Sequence, residues 1–159
     1  MKKTLRFVCF LSVLVMILSL TVACAKKDEN SKYKTTIKIE CTKIFDHEAD
    51  LNPDKKDFVP KDGIILDTVE VKIGDDQTVY DQLVKACEAH KISFASQKSD
   101  YGMYVDGIAQ IQTADCGEMS GWLFNVNDEM GAAACDQIVL KEGDSVKWVF
   151  ICDYSTDVK

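Results

Sequence analysis

Hydrophobic and polar residues alternate through YKTTIKIECTKIF, residues 33–45, with Ile37, Ile39 and Cys41 on one side and Thr36, Lys38 and Glu40 on the other. This period of two predicts a half-buried strand. DHEADLNPDKKDFVPKDG, residues 46–63, is charged, carries both prolines, and predicts an irregular connection. Its length is unusual for a plain linker inside a compact domain. IILDTVEVKI, residues 64–73, predicts a second strand, closed by the turn GDD. In TVYDQLVKACEAHKI the period changes. Val79, Leu83, Ala86 and Cys87 recur on one face with Tyr80 and Val84 beside them, the stripe of a helix lying on a sheet. Thr78 and Asp81, three apart, form a variant of the capping box. On this helix Cys87 reads as a small buried residue, and His90 as a last-turn residue suited to the helix dipole.

Beyond the helix, ISFAS, MYVDGIAQI and GWLFNVN predict strands. IVL and SVKWVFIC flank the Gly-bearing turn KEGD as a further pair, with Val146, Trp148, Phe150 and Cys152 on one face of the last strand. Two strands, one helix and then several strands give an α+β class, a mixed sheet with a single packed helix. A β-grasp arrangement is the economical topology, and it places the first and last strands side by side and parallel. Cys41 and Cys152 then both fall near strand ends on the buried face, which suggests one disulfide, with Cys116 and Cys135 bracketing the GWLFNVN strand as a second. Four cysteines allow three pairings, so this pairing is one of three.

The first residues have a different character. MKKTLR is cationic, and FVCFLSVLVMILSLTV follows with sixteen uncharged residues. A membrane span needs about 20, so residues 1–23 read as a signal peptide. TVAC then resembles a bacterial lipobox, with Thr21 where leucine is usual, and it makes Cys24 the lipidated residue. Residues 24–34 become a hydrophilic tether and 35–159 the domain, held outside the cell on the membrane by acyl chains.

Charge and cysteine usage narrow the chemistry. The whole chain has a formal charge of −7, and removal of residues 1–23 takes away Lys2, Lys3 and Arg6 but no acid. So acidic a surface disfavours nucleic acid. Of seven cysteines, Cys9 and Cys24 belong to the leader and anchor, leaving an odd five. No CxxC occurs, and His47 and His90 stand apart, which argues against a thioredoxin-type or zinc site. GDDQT lacks the spacing of a phosphate loop. No nucleophile–base pair is evident, so the reading is of a non-enzyme without a resident cofactor.

In GWLFNVN, Trp122 and Phe124 alternate with Asn125 and Asn127. An aromatic surface beside two amides suits an apolar ligand fringed with hydrogen-bonding groups, so these four are the candidate ligand-binding residues. Ser120 and Gly121 read as the turn that starts the strand.

CTKIF, VPKDGIIL, GDDQTVYDQL, YVDGIAQI, DCGEMSGWLFNVND and LKEGDSVKWVFICD together resemble the transcobalamin-like C-terminal domain, a β-grasp module of bacterial surface proteins. The resemblance covers roughly residues 35–153. Two departures are Asp128, where the family usually has glycine after VN, and DEMGAAAC in place of a loop that is often aromatic or proline-bearing. In animal vitamin B12 carriers a similar domain closes over a corrinoid held by a larger helical barrel. The resemblance therefore implies a binding module for a small ligand, a corrinoid first among candidates, passed to a membrane transporter or completed by another surface protein. The alternative is a non-catalytic surface interaction or adhesion module that docks a protein partner by strand addition or is simply displayed as part of the envelope.

Overall fold

The computed structural model describes residues 31–158. The signal peptide, Cys24 and most of the tether lie outside the described residues. β1 (Tyr33–Glu40) starts within the stretch read as tether and turns Thr35, Ile37 and Ile39 into the core. It pairs antiparallel with β2 (Ile64–Ile73), from Tyr33↔Ile73 to Glu40↔Ile64, with irregularities between Ile37 and Glu40.

α1 (Val79–His90) follows, and its capping box is complete. Asp81 Oδ2 accepts from the Thr78 N–H at 2.8 Å, and Thr78 Oγ1 accepts from the Asp81 N–H at 3.3 Å. The face it buries is the predicted one, Val79, Leu83, Ala86 and Cys87, together with Gln82. His90 is exposed in the last turn.

β3 (Phe94–Ser99), β4 (Gly102–Ile108) and β5 (Ile111–Gln112) make a small antiparallel sheet. β6 (Gly121–Val126), β7 (Glu129–Met130) and β8 (Ser145–Ile151) join β1 and β2 in a five-stranded sheet of order β2-β1-β8-β6-β7. β1 and β8 are parallel neighbours, with Thr36↔Ser145 through Glu40↔Val149 in register. This is the pairing that the β-grasp reading requires. The class is α+β, strands in two sheets with one main helix. Ile37, Ile39, Trp148, Phe150, Val79 and Leu83 fill the space between helix and sheet, each at most 1% exposed. Burying one such side chain contributes about 2 kcal/mol.

Three expectations are corrected. β1 stops at Glu40, where TKIF was read as its continuation. There the Cys41 N–H donates to the Gly63 carbonyl at 2.7 Å and the chain coils into a 3-10 turn, Thr42–Asp46. Gly63 has φ +71°, and a side chain on it would meet Thr42 Cα at 2.9 Å, so the close crossing depends on glycine. The connection after it is less irregular than read. Asn52 caps a second 3-10 turn, Pro53–Phe58, and the Asn52 N–H donates to the Asp115 carbonyl at 2.7 Å. Lys55 Nζ lies 3.1 Å from Asp115 Oδ2, both largely buried. Finally, IVL is not a strand beside β8. It crosses the start of α1, where the Val79 N–H donates to the Ile138 carbonyl at 3.0 Å and the Tyr80 N–H to the Cys135 carbonyl at 3.0 Å. Those first-turn donors have no partner inside the helix, so the segment satisfies them and bridges only at Thr78↔Val139.

Among the described residues the five cysteines are free thiols. The predicted pairing is corrected. Cys41 Sγ faces the Gly63 carbonyl at 3.5 Å rather than Cys152, because the chain turns away at that residue. Cys135 Sγ faces the Met103 carbonyl at 3.4 Å rather than Cys116, because the 130–135 segment folds over β4 rather than back along β6.

Candidate functional site

β4 and β6 belong to different sheets and share a core at one end, while toward the start of β4 they part. The gap is a cleft of about 310 Å3, lined by Tyr101–Val105, Trp122–Phe124, Trp148 and residues of the 130–135 segment. Its lining is mainly apolar.

Each wall has a local cause. β6 alternates, so Trp122, Phe124 and Val126 face the same side as their β8 partners Phe150, Trp148 and Val146. Trp122 is fixed there: its indole N–H donates to the Ile111 carbonyl at 2.9 Å, and its ring meets Phe150 edge-on at 5.3 Å. Phe124 is half-buried and tilts over Trp148 at 5.1 Å. The opposite wall is tied to the 134–137 segment. Met103 N–H donates to Asp136 Oδ1 at 2.9 Å, and Gln137 Nε2 donates to the Tyr101 carbonyl at 3.0 Å. Tyr101 at 87% and Met130 at 41% exposure form an aromatic and sulfur-bearing rim.

Gly131 is the hinge of the third wall. A methyl group there would overlap Cζ and Cε2 of the Phe124 ring, so the glycine lets the backbone lie flat against that ring. Within the cleft, Trp148 is 1% exposed and its indole N–H has no partner among the described residues. A buried donor left unpaired costs about 1–3 kcal/mol.

Of the predicted ligand residues, Trp122 and Phe124 line the cleft, and Asn125 and Asn127 are not among its walls. Asn125 pairs with Lys147 and so alternates onto the far face of the sheet. Asn127 sits in the β6–β7 turn with φ 53°, its Nδ2 donating to Asp144 Oδ1 at 2.8 Å and its Oδ1 accepting from the Ser145 N–H at 2.9 Å. Its amide serves the turn. The sequence reading missed Tyr101, Met103, Tyr104, Met130 and the Trp148 contribution. The available signal was YGMYV, with large apolar residues beside a glycine, and the small-residue run GAAAC, which leaves space next to them.

The site has little nucleophilic chemistry. Burial pushes the Cys135 thiol, at the cleft wall, up to about 11 and the Cys41 and Cys87 thiols up to about 12. A thiol so raised is protonated at neutral pH. No group of His, Cys, Asp and Glu capable of holding a metal occurs among the described residues. No described helix is long and apolar enough to cross a membrane.

Residues 76–151 match the family model described as "Domain of unknown function (DUF4430)". No curated protein matches the chain. Among solved structures, haptocorrin in complex with Cbi is similar at a TM-score of 0.53 and 13% identity over 80% of this chain, and the match spans 27% of the haptocorrin chain. A candidate metal-binding protein from Ruminococcus gnavus ATCC 29149 is similar at a TM-score of 0.45 and 12% identity, over 75% of this chain and 96% of that one. The haptocorrin likeness shows a shared fold.

Proposed function

We propose that this chain is a non-catalytic binding module whose cleft seats the apolar edge of a small molecule, with a corrinoid the first candidate. The observation that carries the reading is the cleft between β4 and β6, open on one side and walled by Trp122, Phe124 and Trp148. Apolar walls with a few placed polar groups are the usual composition of a small-molecule site. Tyr101, on the exposed rim, supplies a hydroxyl. Haptocorrin, with its bound Cbi, supports the choice of ligand class. At about 310 Å3 the cleft takes a side of a corrin ring and not the whole of it. A second protein would cover the rest, and a membrane transporter component fits the anchored location that Cys24 implies. The raised thiols support a binding role over catalysis. Strand addition is less favoured at the longest edge, where β2 carries Asp67, Glu70 and Lys72, charges of the kind that blunt edge pairing.

The chain has two tryptophans, and both line the cleft, so intrinsic fluorescence reports on this site alone. Titration with cobinamide and cobalamin is expected to quench it saturably, beyond the absorptive loss measured on free tryptophan. Gly131→Val, whose side chain would overlap the Phe124 ring and displace that wall of the cleft, is expected to abolish the saturable part. If the wild-type chain shows only the absorptive loss and no calorimetric heat at high micromolar ligand, the corrinoid reading fails.

A further inference from the structure

The segment before β6 folds back on itself. Cys116 N–H donates to Ser120 Oγ at 3.0 Å, and the Ser120 N–H donates to the Gly117 carbonyl at 3.0 Å. β6 then begins at Gly121, which pairs with Ile151, the last residue of β8. The tight loop thus brings Cys116 beside Cys152, one residue beyond that pair. A side chain on Gly117 would lie 4.0 Å from the Cys152 carbonyl oxygen. Cys116 Sγ also donates to the His47 carbonyl at 3.5 Å, so both sulfurs sit in one buried pocket behind residues 47–51. Cys152 is followed by α2 (Tyr154–Asp157), whose Asp157 accepts the Cys152 N–H at 2.8 Å.

We propose that Cys116 and Cys152 are a disulfide-forming pair, a two-electron modification site that fastens the root of β6 to the end of β8. Sheet register and the closed loop make the two residues neighbours at the root of β6 and the end of β8, so a bond between them requires the sulfurs to close to the ordinary disulfide separation while the strand pairing stays in place. Burial raises both thiols. Reaction therefore proceeds as the chain folds, before burial protects the sulfurs.

The oxidant is a small external disulfide, of the glutathione class. The Cys116 thiolate attacks one sulfur of that disulfide, its S–S bond breaks, and one small thiolate leaves. Cys152 then gives up its proton, and its sulfur attacks Cys116 in the mixed disulfide. The protein S–S bond forms and the second small thiolate leaves. Two protein thiols are oxidised, one external disulfide is reduced, and both protons end on the released thiols. The remaining three described cysteines have no such neighbour: Cys41 and Cys135 face backbone carbonyls, and Cys87 is buried in the helix face.

The full chain, unfolded with its thiols reduced, is refolded in a buffer of oxidised and reduced glutathione and alkylated in denaturant. It is then digested without reductant for mass spectrometry. The expected product is a peptide pair joining Cys116 to Cys152, lighter by two hydrogens than the separate thiol peptides, with Cys41, Cys87 and Cys135 alkylated. Cys152→Ser is expected to leave Cys116 alkylated or joined only to glutathione, and not paired with Cys135. Finding Cys116 and Cys152 both alkylated after refolding, or either joined to another cysteine of the wild-type chain, overturns the proposal. Because the mapping is read on wild-type protein, a variant that fails to fold does not blur the answer.

Discussion

Asp157 is 4% exposed, and a carboxylate so placed needs compensation. Burial alone would raise it. The N–H groups of Asp153 and Cys152 and the His47 ring at 3.3 Å outweigh that and hold its carboxyl below the ordinary range. Asp153 and Asp50 are the other charged groups nearby, and Asp50 Oδ2 lies 3.9 Å from His47 Nδ1. A carboxyl lowered on folding contributes stability that is complete above its unfolded value, about 3.9, and is lost as pH falls through the folded one. Asp157→Asn keeps an acceptor for the two N–H groups and removes the charge. Denaturant midpoints are therefore expected to be lower for the variant at pH 7, with the gap closing as pH falls below about 4. A gap that is constant with pH would mean that the charge contributes nothing. Side-chain roles of this sort are hard to read in sequence, since Asp157 stands in a polar tail that offers no periodicity.

At the scale of elements, legibility follows whether one segment suffices to define the element. α1 was readable because its stripe, its capping box and its length all lie within fifteen residues. β2 was readable for the same reason. GWLFNVN was readable as a strand but not in its end point, because alternation continues through Asn127 while the backbone has already turned. Asn127 and Asp128, with φ 53° and 65°, are the two central residues of a tight hairpin between Val126 and Glu129, and positive φ at both is the mark of a type I′ turn. Asparagine tolerates the first position; glycine is the better second residue. Asp128→Gly is expected to stabilise the chain by roughly 0.5–1 kcal/mol by relieving the left-handed conformation. Its exposed contact with Lys147 at 3.9 Å is too weak to offset that gain. Urea melts of the two proteins check the sign.

The cleft itself belongs to the whole molecule and was not legible in any stretch. Its walls come from β4, β6, β8 and the 130–135 segment, and only their meeting makes a concavity. Trp122 and Phe124 could be nominated from their own strand, but Tyr101 and Gly131 acquire meaning from what lies opposite. The transcobalamin-like resemblance carried the fold relationship across that gap, and it could not say which side chains form the walls. The cysteines show the same limit: β-grasp topology brings strand ends together, yet the local turns at Cys41 and Cys116 decide which sulfurs meet. If Cys116 and Cys152 join, closing the intervening loop is expected to contribute about 4 kcal/mol in the chain-entropy picture. Thermal unfolding of the oxidised and reduced chains measures it, and coincident midpoints would show that the bond strains the native state as much as it restricts the unfolded one.

The side-by-side seating of β1 and β8 has a temporal consequence. Lys34 and Glu142, 108 positions apart, already touch across it, and β8 is the only link between β1 and the β6–β7 hairpin. While the ribosome is still making the second half, β1, β2 and α1 can come together, but the sheet still lacks its central strand. A chain cut short before Ser145 would lack that strand, leaving the β1–β2–α1 unit and the β6–β7 hairpin with nothing to join them in the sheet.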